Sequence, residues 1–328
     1  MTLASQYDAA LFDLDGVVYL GPIAIPGVAD SLHELREQGV RIGFVTNNAA
    51  RTPATVADHL VELGIEAVEA DVVNSTMATL HMLADELPEG SKVLPVGTGA
   101  LAEQLVGAGY TVVASKDDLP VAVVQGYDPQ IDWGLLEEGA FAIQAGADWF
   151  VTNPDMTRPT DRGLVPGCGT QLAVIQACVT VSPKIAGKPY PPLLEETVRR
   201  LDAKRPIFVG DRLDTDILGA NNVAMESLFV FTGAHGKRDL MDAEPGYRPT
   251  AIGYDVAALL EPARVAQRAG NFVVCGSQRI RLGGHAVVLE STPVTRDQQL
   301  DALWAALQLR WNHGADIDGV VESLQDLP

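Results

Sequence analysis

Two carboxylates, Asp13 and Asp15, stand just beyond the apolar run Ala9–Phe12 and just before Gly16 and Val17. The run is short and uniformly apolar, as a strand buried on both faces of a parallel sheet would be. Open α/β sheets bind their ligands beyond the carboxyl ends of the strands, which is where these two acids fall. Carboxylates this close repel each other unless a metal ion or a cationic side chain offsets the charge. The pair is therefore suited to holding a cation and presenting a nucleophile. Taken alone, the segment reads equally well as a solvated Asp-x-Asp-Gly turn.

Three later segments bear on that choice. The apolar run that begins at Arg41 ends in Thr46, followed by Asn47 and Asn48. Lys188 stands before a proline in Lys184-Ile-Ala-Gly-Lys188-Pro189, and the apolar run Pro206–Gly210 leads into Asp211, Asp214 and Asp216. In this order the four segments resemble the motifs of the haloacid dehalogenase-like phosphatases. The chain is similar in particular to the NagD or p-nitrophenylphosphatase branch, which includes glycerol-phosphate and phosphoglycolate phosphatases. Any one of the segments is weak evidence, but four in sequence, three of them at strand ends, argue against chance.

The resemblance implies a Mg2+-dependent hydrolysis of phosphate monoesters through an aspartyl-phosphate. Asp13 would be the nucleophile, and Asp15 would protonate the leaving alkoxide and later activate the hydrolytic water. Thr46 and the N–H of Asn47, with Asn48 beside them, would bind phosphoryl oxygens, and Lys188 would offset charge on Asp13 and the phosphate. The expected Mg2+ ligands are the Asp13 carboxylate, the Asp15 main-chain carbonyl and Asp211, with Asp216 reaching the ion through water or not directly. Mg2+ suits an all-oxygen site that retains waters. Two carboxylates can divide nucleophile and proton-transfer roles only if their pKa values are pushed apart. Each residue also has a structural reading: Thr46 as a helix N-cap, Asn47 and Asn48 as turn formers, Lys188 as a surface lysine beside a proline turn. Asp214 reads as a solvated or capping acid.

In the family, the larger α/β cap carries a loop that faces the catalytic site. The matching stretches here are Val151–Pro159 and Pro166–Thr170, with Asn153, Asp155 and Arg158 as candidates for contacting the leaving group. A surface loop rich in turn residues is the competing reading. An acid such as Asp155 near the site favours a hydroxylated leaving group over an anionic one. That order places glycerol 3-phosphate first, with phosphoglycolate and nucleotide monophosphates behind it. One segment imitates a different chemistry: Gly97-Thr-Gly99 after an apolar run, with Asp117 twenty residues on, resembles a dinucleotide-binding fingerprint. Against it, Pro95 interrupts the strand and the third position is Ala102. A non-catalytic protein keeping a relic of the fold is also disfavoured, because a charge cluster of this kind is costly to retain without use.

These residues need a scaffold, and the pattern supplies one. Apolar strand runs alternate with helical periodicity, which predicts an α/β, Rossmann-like, doubly wound parallel-sheet core. The expected core comprises residues 1–87 and 183–262, with an inserted α/β cap domain over 88–182 and a small α+β extension over 263–328. Within the extension, Phe272–Cys275, Arg279–Leu282 and Ala286–Glu290 read as antiparallel strands. Thr295 and Gln298 form a capping box before a helix that Gly314 ends. Leu300, Leu303, Trp304, Leu307 and Trp311 are expected to line one face of that helix. Packing or dimerisation is the expected role of this tail, so a homodimer is among the expected partners.

The 328 residues are 47% apolar, enough for more than one core, and carry a net charge of −20. That charge argues against nucleic acid and against an anionic membrane surface. It also means that a phosphate ester can bind only where the field is locally reversed, as a bound Mg2+ and a buried lysine can do. No apolar run approaches membrane-spanning length, and no N-terminal signal pattern is evident. Three cysteines without CxxC spacing suggest neither a disulfide framework nor a zinc site, and the cytoplasm is the expected setting.

Overall fold

The apolar runs form strands and the periodic runs between them form helices, in a computed structural model that describes every residue except Asp161, Gly284 and His285. The chain opens with β1 (Ala9–Phe12), the hairpin β2 (Tyr19–Leu20) and β3 (Ile23–Ala24), α1 (Val28–Glu37), β4 (Arg41–Thr46), α2 (Pro53–Glu62), β5 (Val72–Asn74) and α3 (Ser75–Glu86). It continues through β6 (Lys92–Val96), α4 (Gly99–Gly107), β7 (Thr111–Val112), β8 (Ala122–Gln125), α5 (Trp133–Gln144) and β9 (Asp148–Val151). Then come β10 (Thr157–Thr160), β11 (Gly163–Pro166), α6 (Cys168–Gln176), β12 (Lys184–Ile185), α7 (Pro191–Arg200) and β13 (Pro206–Gly210). The last part holds α8 (Leu218–Asn222), β14 (Glu226–Val230), α9 (Lys237–Met241), β15 (Ala251–Gly253), β16 (Gln267–Ala269), β17 (Phe272–Cys275), β18 (Gln278–Gly283), β19 (Ala286–Leu289), α10 (Arg296–His313) and α11 (Asp318–Ser323). Among the described residues, no helix is long and apolar enough to cross a membrane.

By compactness the chain divides into two units, residues 1–42 with 203–328, and residues 43–202. In the first unit, β15, β14, β13 and β1 lie side by side in that order, all parallel. The pairing of β1 with β13 runs from Ala9↔Pro206 to Phe12↔Val209. Every residue of β1 is buried, as a strand covered on both faces requires. Asp8 ties the amino ends of the neighbouring strands together: its carboxylate accepts from Lys204 N at 2.8 Å, Arg205 N at 2.9 Å and Arg41 Nη2 at 2.7 Å. Because the strands are parallel, their carboxyl ends all emerge at the opposite edge, which is where Asp13 and Asp211 stand.

The extension belongs to this unit and shares its core. Val273, Cys275, Ile280, Leu303, Trp304 and Leu307 pack in one cluster with Phe229, Phe231, Leu240 and Ile252. The antiparallel order is β16-β17-β18-β19, so the strands expected there are present and β16 is an addition. The capping box is formed: Thr295 Oγ1 accepts from Gln298 N at 3.2 Å and Gln298 Oε1 accepts from Thr295 N at 3.3 Å. The residues expected to line one face of α10 do so: Leu300, Leu303, Trp304 and Leu307 are buried in this cluster and Trp311 packs against it. Ala302, Ala305 and Ala306 are as buried as Leu303 and Leu307, because β17 and β18 pack against this helix as do α9 and α11. Alanines on the second face are small enough to let that second layer approach.

In the second unit, β4 pairs with β5 from Phe44↔Val72 to Thr46↔Asn74. A separate five-stranded parallel sheet has the order β12-β9-β8-β6-β7, and its core holds Val96, Val123, Leu136, Ile143, Trp149 and Ile175. The stretch expected as a cap loop contains a regular hairpin, β10 against β11, in the register Thr157↔Pro166. The first glycine of the dinucleotide-like segment is accounted for by packing. A Cβ on Gly97 would lie 3.1 Å from Leu101 Cδ2 and 3.2 Å from Gly126 O, so this glycine admits α4 and the end of β8. Asp117 lies in a short turn and pairs with Lys116 at 3.0 Å.

All three cysteines are free thiols. Burial pushes the Cys168 thiol up to about 11, and burial followed by the charge of Asp301 pushes Cys275 up to about 12. The thiolate is the reacting form, so iodoacetamide at a pH of about 8 is expected to modify exposed Cys178 alone in the native protein and all three cysteines in urea. Peptide mass mapping checks this, and native labelling of Cys275 would contradict the packing described for the extension.

Candidate active site

Asp13 follows β1, and its N–H donates to Val209 O at 2.9 Å, carrying the ladder with β13 one residue further. That places Asp13 beside Asp211, the residue after β13. Asp13, Asp211 and Asp216 each present a carboxylate oxygen within 4.8 Å of the others. Asp211 and Asp216 are buried, and Asp13 is partly exposed. Asp216 sits in the wide turn Leu213–Ile217. Its Oδ2 accepts from Asp211 N and Arg212 N, both at 3.2 Å. Asp211 Oδ2 accepts from Ala234 N at 2.6 Å.

Glycines make this close packing feasible. A Cβ on Gly16 would come within 2.5 Å of Asp211 Oδ2, and one on Gly233 within 2.0 Å. Gly16 also has φ +89°, a left-handed conformation that glycine adopts without strain. Asp15 is exposed and bridges to Tyr19. Asp214 stays out of the cluster, exposed and bonded to Arg212 at 2.7 Å. Burial works to raise its carboxyl, but the Arg212 hydrogen bond and charge outweigh that and hold it below the usual range. Three carboxylates and no nitrogen or sulfur donor form a hard, all-oxygen set, which fits Mg2+ and would be costly to assemble without a cation.

A second group of predicted residues lies in the other unit, organised around Asn47. Its Nδ2 donates to Asp155 Oδ1 and to Lys188 O, both at 3.0 Å, and its Oδ1 accepts from Lys188 N at 2.8 Å. Its main-chain oxygen accepts from Asn153 Nδ2 at 2.8 Å and Ser75 Oγ at 2.7 Å. The Asn47 side chain is therefore spent on holding the Lys188 loop, leaving its main-chain N–H as the group with which it could bind an anion. Gly187 permits the approach, since a Cβ there would lie 2.7 Å from Asn47 Oδ1. Lys188 is 2% exposed, which excludes the surface-lysine reading. Thr46 ends β4, and its Oγ1 accepts from Asn48 N at 3.0 Å.

The cap candidates separate here. Asn153 is buried and turned towards Asn47, and Asp155 is bonded to Asn47. Arg158 is exposed and engages Tyr127, donating to its hydroxyl at 3.0 Å with the guanidinium 5.2 Å from the ring centroid. Residues that motif reading passed over also shape these groups: Ser75, Gly187, Gly233 and Ala234. The last two belong to a glycine-bearing loop just past β14, and a loop at the carboxyl end of a strand next to β13 was the available signal.

Residues 10–111 match the family model described as haloacid dehalogenase-like hydrolase, and residues 185–259 match a second model of HAD-hydrolase-like proteins. The D-glycerol 3-phosphate phosphatase of Mycobacterium tuberculosis is 44% identical over 264 residues, covering 80% of this chain and 74% of that protein. The chain belongs to the haloacid dehalogenase-like hydrolases. Within this family, the acid sugar phosphatase of Staphylococcus aureus is 35% identical over 72% of this chain and 91% of its own length. The crystal structure of glycerol phosphate phosphatase from M. tuberculosis in complex with magnesium superposes with a TM-score of 0.86 at 38% identity, covering 99% of this chain and 98% of that one. NagD from E. coli K-12 gives 0.69 at 30% identity over 76% of this chain and 97% of NagD. The resemblance drawn from the four motifs is thus correct at the level of the family and of the NagD-like branch. The magnesium-bound relative matches along almost its whole length, so the likeness includes the extension.

Proposed function

We propose that this haloacid dehalogenase-like hydrolase is a Mg2+-dependent phosphomonoester hydrolase that takes glycerol 3-phosphate and works through an aspartyl-phosphate on Asp13. The observation that carries the reading is the convergence of Asp13, Asp211 and Asp216 at the carboxyl edge of β1 and β13. Asp13, Asp211 and the Asp15 carbonyl are the residues that would hold Mg2+, with Asp216 behind them; the ion's chemistry is to offset phosphoryl charge and keep Asp13 ionised. A carboxylate oxygen of Asp13 forms a bond to phosphorus as the bond from phosphorus to the glycerol oxygen breaks, and Asp15 gives its proton to the departing alkoxide. Asp15, now a carboxylate, takes a proton from water, which attacks phosphorus and releases phosphate and free Asp13. The exposure of Asp15 suits a group that exchanges protons during turnover. Thr46, the N–H of Asn47 and Lys188 are assigned to the phosphoryl oxygens, as charge stabilisation at phosphoryl transfer requires.

Residues 1–87 and 183–262 serve as catalytic core in this reading, 88–182 as cap and 263–328 as extension. Free thiols at Cys168, Cys178 and Cys275 support a reducing, cytoplasmic setting. For the substrate, the Asp155 carboxylate beside Asn47 disfavours an anionic leaving group. The names of the relatives point the same way, to glycerol and sugar phosphates.

Turnover of glycerol 3-phosphate, phosphoglycolate, AMP and p-nitrophenyl phosphate should be compared with EDTA and then with added MgCl2. The expected result is no turnover in EDTA, recovery with Mg2+, and kcat/KM for glycerol 3-phosphate about tenfold or more above phosphoglycolate. A preference for phosphoglycolate would sink the substrate assignment, and turnover indifferent to EDTA would sink the metal dependence.

A further inference from the structure

Lys237 begins α9, where a cation opposes the positive end of the helix dipole. The extension explains its presence. Lys237 Nζ donates to Leu324 O at 2.5 Å and to Leu327 O, and its main-chain N–H donates to Pro328 O at 2.9 Å. A Cβ on the preceding Gly236 would lie 2.7 Å from that same Pro328 oxygen. These contacts fasten one end of the loop that joins β14 to α9. Its other end is fastened by Thr232 Oγ1, which donates to Gly16 O at 2.6 Å.

The acidic cluster rests on what lies between the two fastenings. Ala234 N donates to Asp211 Oδ2, and Gly233 packs against that carboxylate. His235 N donates to Asp211 O at 3.3 Å. His235 Nδ1 accepts from Leu213 N at 2.9 Å, at the start of the turn that carries Asp216.

We propose that Lys237 is a positioning residue for the acidic cluster, and that the segment Leu324–Pro328 of the extension acts through it to hold Ala234 against Asp211. The inference rests on the reading of Asp13, Asp211 and Asp216 as the metal-holding group. It gives the extension a part in metal affinity as well as in packing. Hydrogen-bond partners behind metal ligands typically contribute 10- to 100-fold in affinity, so K237M is expected to bind Mg2+ about tenfold or more weakly by calorimetry. K237R keeps N–H donors and is expected to recover part of that loss, while kcat of K237M at saturating Mg2+ stays within about twofold of wild type.

D211N is the control and is expected to abolish Mg2+ binding. If D211N abolishes binding and K237M leaves it unchanged, the positioning role is overturned and the metal reading stands. If D211N binds Mg2+ like the wild type, the metal reading falls and the inference with it. Hydrogen exchange on the wild-type chain gives an answer that needs no variant to fold. Added Mg2+ is expected to slow exchange of the Ala234 and Lys237 amides, and unchanged exchange at Lys237 would overturn the coupling.

Discussion

Asp13→Asn is expected to lower kcat/KM for glycerol 3-phosphate at least about 1000-fold while the protein remains folded. The amide keeps the shape of the carboxylate, and the ladder hydrogen bond from the main-chain N–H of residue 13 to Val209 O is undisturbed. What disappears is the proposed nucleophile. An amide oxygen is a poor nucleophile, and no other group in the cluster can replace it, since Asp211 and Asp216 are buried and already accept main-chain N–H groups. The substitution also removes one negative charge from three crowded carboxylates. Less repulsion means that the melting temperature measured without Mg2+ should be unchanged or higher. Steady-state kinetics with a thermal scan on the same preparation checks both halves. Retention of more than about a tenth of the activity would remove Asp13 from the nucleophile role.

The second large effect is expected at Lys188. Replacing it with methionine should cost about 100- to 1000-fold in turnover, the usual scale for a preorganised charge aimed at the reacting group. Stability should change little by comparison. Burying an ammonium is expensive, and Lys188 is 2% exposed, so an apolar side chain of similar length relieves desolvation. The same change leaves uncompensated the negative charge that the lysine would offset, an effect of opposite sign. Its main-chain bonds to Asn47 do not depend on the side chain. A variant that is dead and as stable as the parent identifies a lysine kept for chemistry. A variant that is active and unstable would make it a structural residue.

Much of this could be read before any coordinates, for a reason specific to parallel sheets. A buried strand is a short apolar run, and the residue that follows it emerges at the binding edge, so Asp13, Thr46 and Asp211 announced themselves by position. Which strands are neighbours was not readable. Asp13 and Asp211 are separated by almost two hundred residues, and only the pairing of β1 with β13 brings them together. Side-chain direction was equally hidden. Asn153 and Asp155 were legible as candidates for substrate contact, but their hydrogen bonds to Asn47 were not.

Smaller discrepancies have similar causes. The β10–β11 hairpin was obscured by Pro159, Gly163 and Pro166, which read as turn residues, although both strands of a two-stranded hairpin are edge strands, where proline is tolerated. On α10, Ala302, Ala305 and Ala306 escaped notice because alanine carries little apolar weight, yet it is the residue that permits close approach on a second face. Lys237 belongs to none of the motifs read from the sequence. Its acceptors are main-chain oxygens near the far end of the chain, which no local pattern records.

A covalent phosphoryl group on Asp13 can be observed directly. The enzyme is mixed with glycerol 3-phosphate and Mg2+, quenched in acid within milliseconds, digested, and mapped by mass spectrometry. The predicted result is a phosphorylated peptide spanning Asp13 that hydroxylamine strips of phosphate and that D13N never forms. Rapid turnover with no phosphorylated peptide, or with the phosphoryl group on another residue, would contradict it.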